Sequence, residues 1–585
     1  MRPSKKILVT TALDSTWGSQ QHIIFLGEWC KKYSMKCSWE SRQHQTLGYH
    51  WQDREKLAKD HSYLESLNED VLIAMTSFLN NFHGVEKSAQ YWRIIIGPWL
   101  LAYISVLWDR WEAISLAMKL DAQLETFVLN EALTRPISKD FTGFREALDS
   151  DRWNHGIFAS ILRERNPHTI EAIPLSDEIA KEVTLPLLKL SLRQKILTTF
   201  AHLVDSCLQK FSGKNKKIIF FHTYFPRKTL IYFYFKLGIL PLWHSALKQQ
   251  RNYPDPINRD RLSLTGLETK NDFESYLKKS IIGDTPIAYL EGYKNLFDLS
   301  KTLANARVIF TANAYIGNEL FKIWSAEQVL SGSKLIISAH GGALVERYDM
   351  FGHEDKISDS RVVWGKEWID SQTRMPPNKI YFQARNYQQH KKILFLDYEA
   401  TRFGYRCVSG PVGPLVLDVF ENNQNFLQSI DKSIFCNLKV RPKSLGSWET
   451  ELRYKDGFGE NIISKEPTIV KDMQNSKVIV CSSPQTTFAE AMYSGIPTIL
   501  LLTKNNWEFQ LIYNDLLQEL EHAKILHFNP VDAAKHLAEI YTNPTIWWES
   551  SDVLLARKKF DEICLTITEK PLNKWTNFLK NVDSK

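Results

Sequence analysis

Residues 477–502 read KVIVCSSPQTTFAEAMYSGIPTILLL. The apolar, β-branched run KVIVCS predicts a buried strand ending at Ser482, followed by a polar loop. A helix is expected to open near Pro484–Thr487 and to stop at Gly495, and PTILLL begins the next strand. Such a unit turns hydroxyls and free backbone N–H groups out of the carboxyl edge of a parallel sheet. The partly positive helix start suits a phosphate there. Ser482, Ser483, Thr486 and Thr487 are the candidate donors. Glu490, one turn on, is placed to accept the two hydroxyls of a ribose. The same letters also have a local explanation, because Thr487-x-x-Glu490 is a capping box and Pro484 suits a first helical turn.

The neighbouring sequence extends the pattern. FCNLKV (435–440) reads as a strand and places Lys439, Arg441 and Lys443 at alternating positions, hence on one face, at its carboxyl end. Three cations beside a hydroxyl-rich helix start fit a nucleoside monophosphate or diphosphate. KILFLD (392–397) is a further strand and 414–430 a helix. Strands interleaved with helices imply βαβ units and a parallel sheet, so residues 376–585 read as one doubly wound, Rossmann-like domain. A turn-rich stretch with a Pro-Pro pair, 371–390, is the expected junction.

Residues 1–375 read as a second such domain interrupted by helices. Strands are expected at 7–10, 217–222, 307–311, 334–339 and 362–364. From Gln52 the apolar residues recur at steps of three, four and seven, and helical character continues to about residue 210. The fold class is therefore α/β: two Rossmann-like domains facing a cleft, with a large helical insertion (about 52–210) in the first.

SAHGGAL puts His340, Gly341 and Gly342 at a strand end, where glycine permits close approach to a ligand and imidazole suits proton transfer. In the N-terminal segments TTALDSTWGSQ, FLGEWC and YHWQDREK, Thr11, Trp17, Trp29 and Trp51 are candidate acceptor-binding residues. Glu28, His50 and Asp53 join His340 as candidate catalytic groups. Acids, histidine and aromatic rings together suit sugar recognition. Asp149-Ser150-Asp151 matches a metal-binding D-x-D string but follows a helical segment, so no metal site is expected from it. Neither a G-x-G-x-x-G after the first strand nor a Walker A string is present, which disfavours dehydrogenases and P-loop enzymes.

Composition sets the outer bounds. A net charge of +7 over 585 residues is too dilute for a dedicated nucleic-acid binder. Hydrophobic content of 44% and charged content of 24% exclude disorder as the main state. Seven scattered cysteines without a C-x-x-C pair predict a reduced, cytoplasmic chain. The run IIIGPWLLAYISVLW (94–108) is short for a membrane span and reads as a buried helix.

Two Rossmann-like halves, with the Lys/Arg strand and S-S-x-x-T-T-F-A-E-A-M-x-x-G-I-P-T in the second, resemble a GT-B glycosyltransferase. LVTTALDSTWG, FLGEWC, YHWQDREKL and YWRIIIGPWL resemble a family of transferases from bacterial surface-polysaccharide (capsule/O-antigen) loci. The resemblance implies a metal-independent transferase without cofactor. It would move a sugar from a nucleotide donor to a glycan or lipid-linked glycan acceptor. A CMP-activated ulosonic acid of the pseudaminic or Kdo type is the favoured donor, and peripheral contact with the inner membrane is implied. A polyol-phosphate transferase, a nucleotide-sugar epimerase and a glycan-binding scaffold are the alternatives.

Overall fold

A computed structural model describes residues 6–18, 22–120, 124–129, 135–165, 170–172, 215–239, 253–342, 344–379, 387–443 and 447–584. The part of the expected insertion between 173 and 210 lies outside them. Two five-stranded, wholly parallel sheets dominate. The first has the order β10-β9-β8-β7-β6, from β6 (Asn215–Phe221), β7 (Asn305–Thr311), β8 (Lys334–Ser338), β9 (Ser360–Val363) and β10 (Gln372–Arg374). The second has the order β12-β11-β13-β14-β15, from β11 (Lys392–Leu396), β12 (Leu438–Arg441), β13 (Ser476–Cys481), β14 (Thr498–Leu501) and β15 (Leu526–His527). Strands buried on both faces read as continuous apolar runs, and this is why residues 334–338, 392–396 and 476–481 stood out in the sequence. The pair of parallel α/β sheets is the arrangement that the residue pattern implied.

One refinement concerns the N-terminus. β1 (Ile7–Val9) joins neither large sheet. It pairs with β2 (His22–Phe25), which pairs with β3 (Gln43–Thr46), all parallel. Within the expected helical insertion, β4 (Thr126–Val128) and β5 (Ile170–Ala172) form a parallel pair. The Leu8 N–H donates to the Glu125 carbonyl at 2.8 Å, so this pair continues the N-terminal layer. The first half thus holds two α/β layers. The alternation of strands and helices is local, whereas the choice of sheet is long-range, so the sequence pattern did not separate them.

The helix Arg54–His83 starts at Asp53, whose side chain accepts from the Lys56 N–H at 3.0 Å, and stops at Gly84, with φ of 64°. Its buried stripe includes Leu57, Leu64, Leu67, Val71, Leu72, Met75 and Leu79. Each such residue contributes roughly 1.5–3 kcal/mol when fully buried. The helix Ala89–Leu120 is long and apolar enough to cross a membrane, but 89% of its most apolar window is buried inside the protein. Gly97 in this helix faces His353 so closely that a Cβ would overlap the imidazole.

The chain also crosses between lobes twice. After β11, the loop bearing Phe403, Cys407, Val408 and Val412 packs into the N-terminal core, where Arg110 donates to the Gly404 carbonyl. The final helix, Pro571–Ser584, returns to the first large sheet, burying Trp575 and Leu579 against Ile218, Phe310 and Val362. Residues 376–585 therefore do not pack as one self-contained unit, because these apolar faces find their partners in the other lobe.

Candidate functional site

In the second sheet the chain passes from β11 to β12 on one side and later to β13 on the other. The carboxyl end of β11 is thus a topological switch point, the place where open α/β sheets bind ligands. Register aligns Leu396 with Arg441 and Cys481, so three strand ends open together. They border a cavity of about 390 Å³ lined by Asp397, Tyr398, Arg441, Lys443, Ser483, Gln485, Thr486 and Thr487, among others. The helix Thr486–Ser494 begins here, and no side chain caps its first turn. Its free N–H groups and two threonines meet the cavity, the arrangement that favours an anion. The helix begins at Thr486, so Thr487 lies inside its first turn and the capping-box explanation does not hold.

The cations differ in their duties. Arg441 lines the cavity but already donates to Asp472 at 2.8 Å and to the Glu466 carbonyl at 2.9 Å. Lys443 lies with Nζ 5.1 Å from the Tyr398 ring centre. Burial, with help from nearby Arg406, lowers its pKa below the usual lysine value. Lys439 points to the Asn461 carbonyl and does not line the cavity. Ser482 also turns away, donating to the Leu396 carbonyl at 3.2 Å. Glu490 lies 3.8 Å from Lys379 Nζ, at the junction between lobes, and does not line this cavity.

Asp397 was not singled out in the sequence. It is 8% exposed, and Tyr454 and Asn423 both donate to its Oδ1, at 3.0 and 2.9 Å. Its Oδ2 has no partner. Burial, reinforced by Glu399, pushes its pKa up to about 7.

A second cavity, of about 360 Å³, lies on the other side of the cleft. Its lining includes His340, Glu346, Asp349, Glu354, Arg361 and Arg406. The two cavities meet at the His340-Gly341-Gly342 turn and the uncapped helix. A Cβ on Gly341 would overlap Thr486 Oγ1, so a side chain here would displace that hydroxyl. Gln485 lines the first cavity and donates to Glu346 Oε1 at 3.3 Å in the second. Burial raises the pKa of both Glu346 and Asp349. Arg361 is held by Glu354 and Asp355, each at 2.7 Å. Arg406 lies over the Tyr405 ring and has no ion pair within 4 Å among the described residues. Burial holds the His353 pKa down to about 3, so this wall histidine is neutral. His340 is exposed in the cleft and stacks on Tyr224, ring centres 6.2 Å apart.

The other expected residues are elsewhere. Trp17, Trp29 and Trp51 are core residues, at 0%, 2% and 0% exposure, so acceptor stacking does not fit them. Their indole N–H groups donate to the Thr11 carbonyl, the Thr10 carbonyl and Asp60 respectively. Thr11 is buried as well. Large indoles give the greatest return on burial, and their one donor is easily satisfied. His50 is buried with Nε2 3.0 Å from Asp109. Asp53 is the helix cap described above, and Glu28 pairs with Lys31 at 2.9 Å. None of these lines either cavity. Glu346 and Arg406, which do, had no local signature beyond the proximity of Glu346 to the HGG turn.

The sequence matches the family described as LIC12162 family transferase over residues 6–579. No curated protein matches it. Solved structures that overlap it include the spinosyn forosaminyltransferase SpnP, at 10% identity and a TM-score of 0.32, covering 63% of this chain and 100% of that one. WaaG, a glycosyltransferase involved in lipopolysaccharide biosynthesis, overlaps at 11% identity and a TM-score of 0.29, covering 62% and 99%. A complex of MnaA from S. aureus with UDP overlaps at 11% identity and a TM-score of 0.30, covering 54% and 87%.

Proposed function

The chain belongs to the LIC12162 family of transferases, and from that premise we propose that it is a glycosyltransferase using a nucleotide-sugar donor. The observation that carries this reading is the uncapped helix at the switch point, with Lys443 and Arg441 beside it, opening toward a second polar cavity. The nucleotide occupies the first cavity. Its phosphate lies against the Thr486–Thr487 helix start and Lys443. The acceptor enters from the second cavity. An acceptor hydroxyl gives its proton to Glu346 or His340 while its oxygen bonds to the anomeric carbon. The bond from that carbon to the phosphate oxygen breaks, and its electron pair leaves on the phosphate. Lys443, Arg441 and the helix N–H groups stabilise that charge, so the proposed step needs no metal or cofactor.

The donor we favour is a CMP-activated ulosonic acid, and the acceptor a surface-polysaccharide or lipid-linked glycan. Arg406, half-buried and without an ion pair among the described residues, suits the donor sugar's carboxylate and supports this choice. The unpaired cysteines, such as Cys30, Cys407 and Cys481, support a cytoplasmic location.

A thermal-shift screen of CMP, CDP, UDP and GDP tests the donor site. A ligand at about 100 times its Kd adds about 2.7 kcal/mol of stability. With the donor known, Glu346→Gln and His340→Ala are assayed separately. We expect at least one to lower turnover by about 10²–10⁴-fold while donor affinity changes little. Absence of any nucleotide-dependent shift would refute the assignment.

A further inference from the structure

Between Ser206 and Pro254 the sequence contains no aspartate or glutamate, but nine lysines and arginines. That block alone exceeds the whole chain's net charge of +7, so the rest of the protein is on balance slightly negative. Positive charge concentrated in this way marks a surface for an anionic partner.

The structure shows what part of this block presents. β6 leads through Tyr224 and Phe225 into the helix Arg227–Leu237. Thr229 and Phe233 anchor the helix by burial. On its outer face Ile231 is 67% exposed and Phe235 83% exposed. Four residues apart, they are neighbours on one helix face. Arg227 and Lys228 lie exposed before them and Lys236 after them. Among the described residues none of these three cations has an ion-pair partner, and Lys236 touches only the Tyr232 ring, at 5.9 Å. A single exposed apolar residue is ordinary. Two adjacent ones flanked by unpaired cations, in a segment without acids, form an amphipathic surface matched to lipid headgroups: cations meet the anionic phosphates and apolar side chains enter the acyl boundary.

We propose that this face docks the protein on an anionic lipid bilayer. Its place in the fold fits. The helix start (Phe225, Pro226, Thr229) also lines an apolar cavity of about 270 Å³ with Pro376, Leu572 and Trp575. Tyr224, one residue before Phe225, stacks on His340 in the cleft. The docked face therefore borders the mouth of the cleft, so an acceptor carried on a lipid reaches the site without leaving the membrane. Docking does not depend on the glycosyl-transfer reading, and its test measures no catalysis.

The full chain is floated with vesicles of phosphatidylcholine alone and of equal parts phosphatidylcholine and phosphatidylglycerol. Binding is expected to the anionic vesicles and to weaken as salt rises. Each cation near such a surface is worth about five-fold in affinity, so Arg227→Gln/Lys228→Gln/Lys236→Gln is expected to weaken binding by about 100-fold. Ile231→Ser/Phe235→Ser is expected to weaken it by at least about ten-fold. Both variants change exposed side chains and should melt as the wild type does. Equal binding to neutral and anionic vesicles, no binding to either, or variants that fold and bind like wild type would each overturn the proposal.

Discussion

After β1 the chain reads Thr10-Thr11-Ala12-Leu13-Asp14-Ser15, and after β13 it reads Ser482-Ser483-Pro484-Gln485-Thr486-Thr487. Both stretches offer hydroxyls at the carboxyl edge of a parallel sheet, yet the first is filled and the second opens on a cavity. What differs is the covering. At β1, Asp151 accepts from the Ala12 N–H at 2.9 Å and His155 reaches the Thr10 hydroxyl at 3.2 Å. Trp17 and Trp29 take the Thr11 and Thr10 carbonyls. Arg402, from the loop after β11, pairs with Asp151 and donates to the Trp29 carbonyl. At β13 no side chain caps the helix that follows. Strand-edge chemistry is thus necessary for a site, and the element packed over it decides whether one exists. The D-x-D string discounted in the sequence acts in this covering: Asp151 carries the ion pair and Asp149 accepts from the Arg402 N–H at 3.1 Å.

The sharpest break of this contrast is Arg402→Ala. It strips a buried cation from Asp151, leaving Lys32 at 2.9 Å as the remaining charged partner. Breaking a buried pair costs about 3–5 kcal/mol, and denaturant unfolding should show a loss of that order. A loss under about 1 kcal/mol would mean that the filled edge is not held by this pair.

The open edge predicts a different signature at Asp397. A carboxyl whose folded pKa is raised favours the folded state when protonated. Its contribution is full below the ordinary aspartate range near 4 and is lost as pH rises through about 7. Glu399 works with this trend, while Lys443 nearby opposes it. Asp397→Asn should therefore flatten the fall in unfolding free energy between about pH 4 and pH 8, by about 2–4 kcal/mol relative to wild type. Parallel pH profiles for the two proteins would remove Asp397 from the account.

Smaller effects separate the edges further. Thr486→Val/Thr487→Val should weaken nucleotide affinity by about ten-fold in calorimetry and leave the melting temperature nearly unchanged, since these hydroxyls face a cavity. Arg441→Ala is the less clean probe, because it also unpairs one side of buried Asp472. At the filled edge, Trp17→Phe deletes the donor to the Thr11 carbonyl. A loss of about 1 kcal/mol in stability with unchanged nucleotide affinity is expected. A change in affinity instead would reopen Trp17 as a site residue.

Local pattern made β1, eight of the ten strands of the two large sheets, the helix start near 484–487 and the cation-bearing strand legible, but not β10 or β15, because hydrophobic period, turn residues and helix starts are set by neighbours a few positions apart. It also placed His340 on a turn that reaches the cleft. Only the tertiary structure decided that Trp17, Trp29, Trp51 and His50 are core and that β1 stands apart from both large sheets. Only there do Glu346, Arg406 and Gln485, far apart in the chain, come to one place. Burial and convergence depend on which distant segment covers each face, and no local pattern of residue types carries that information.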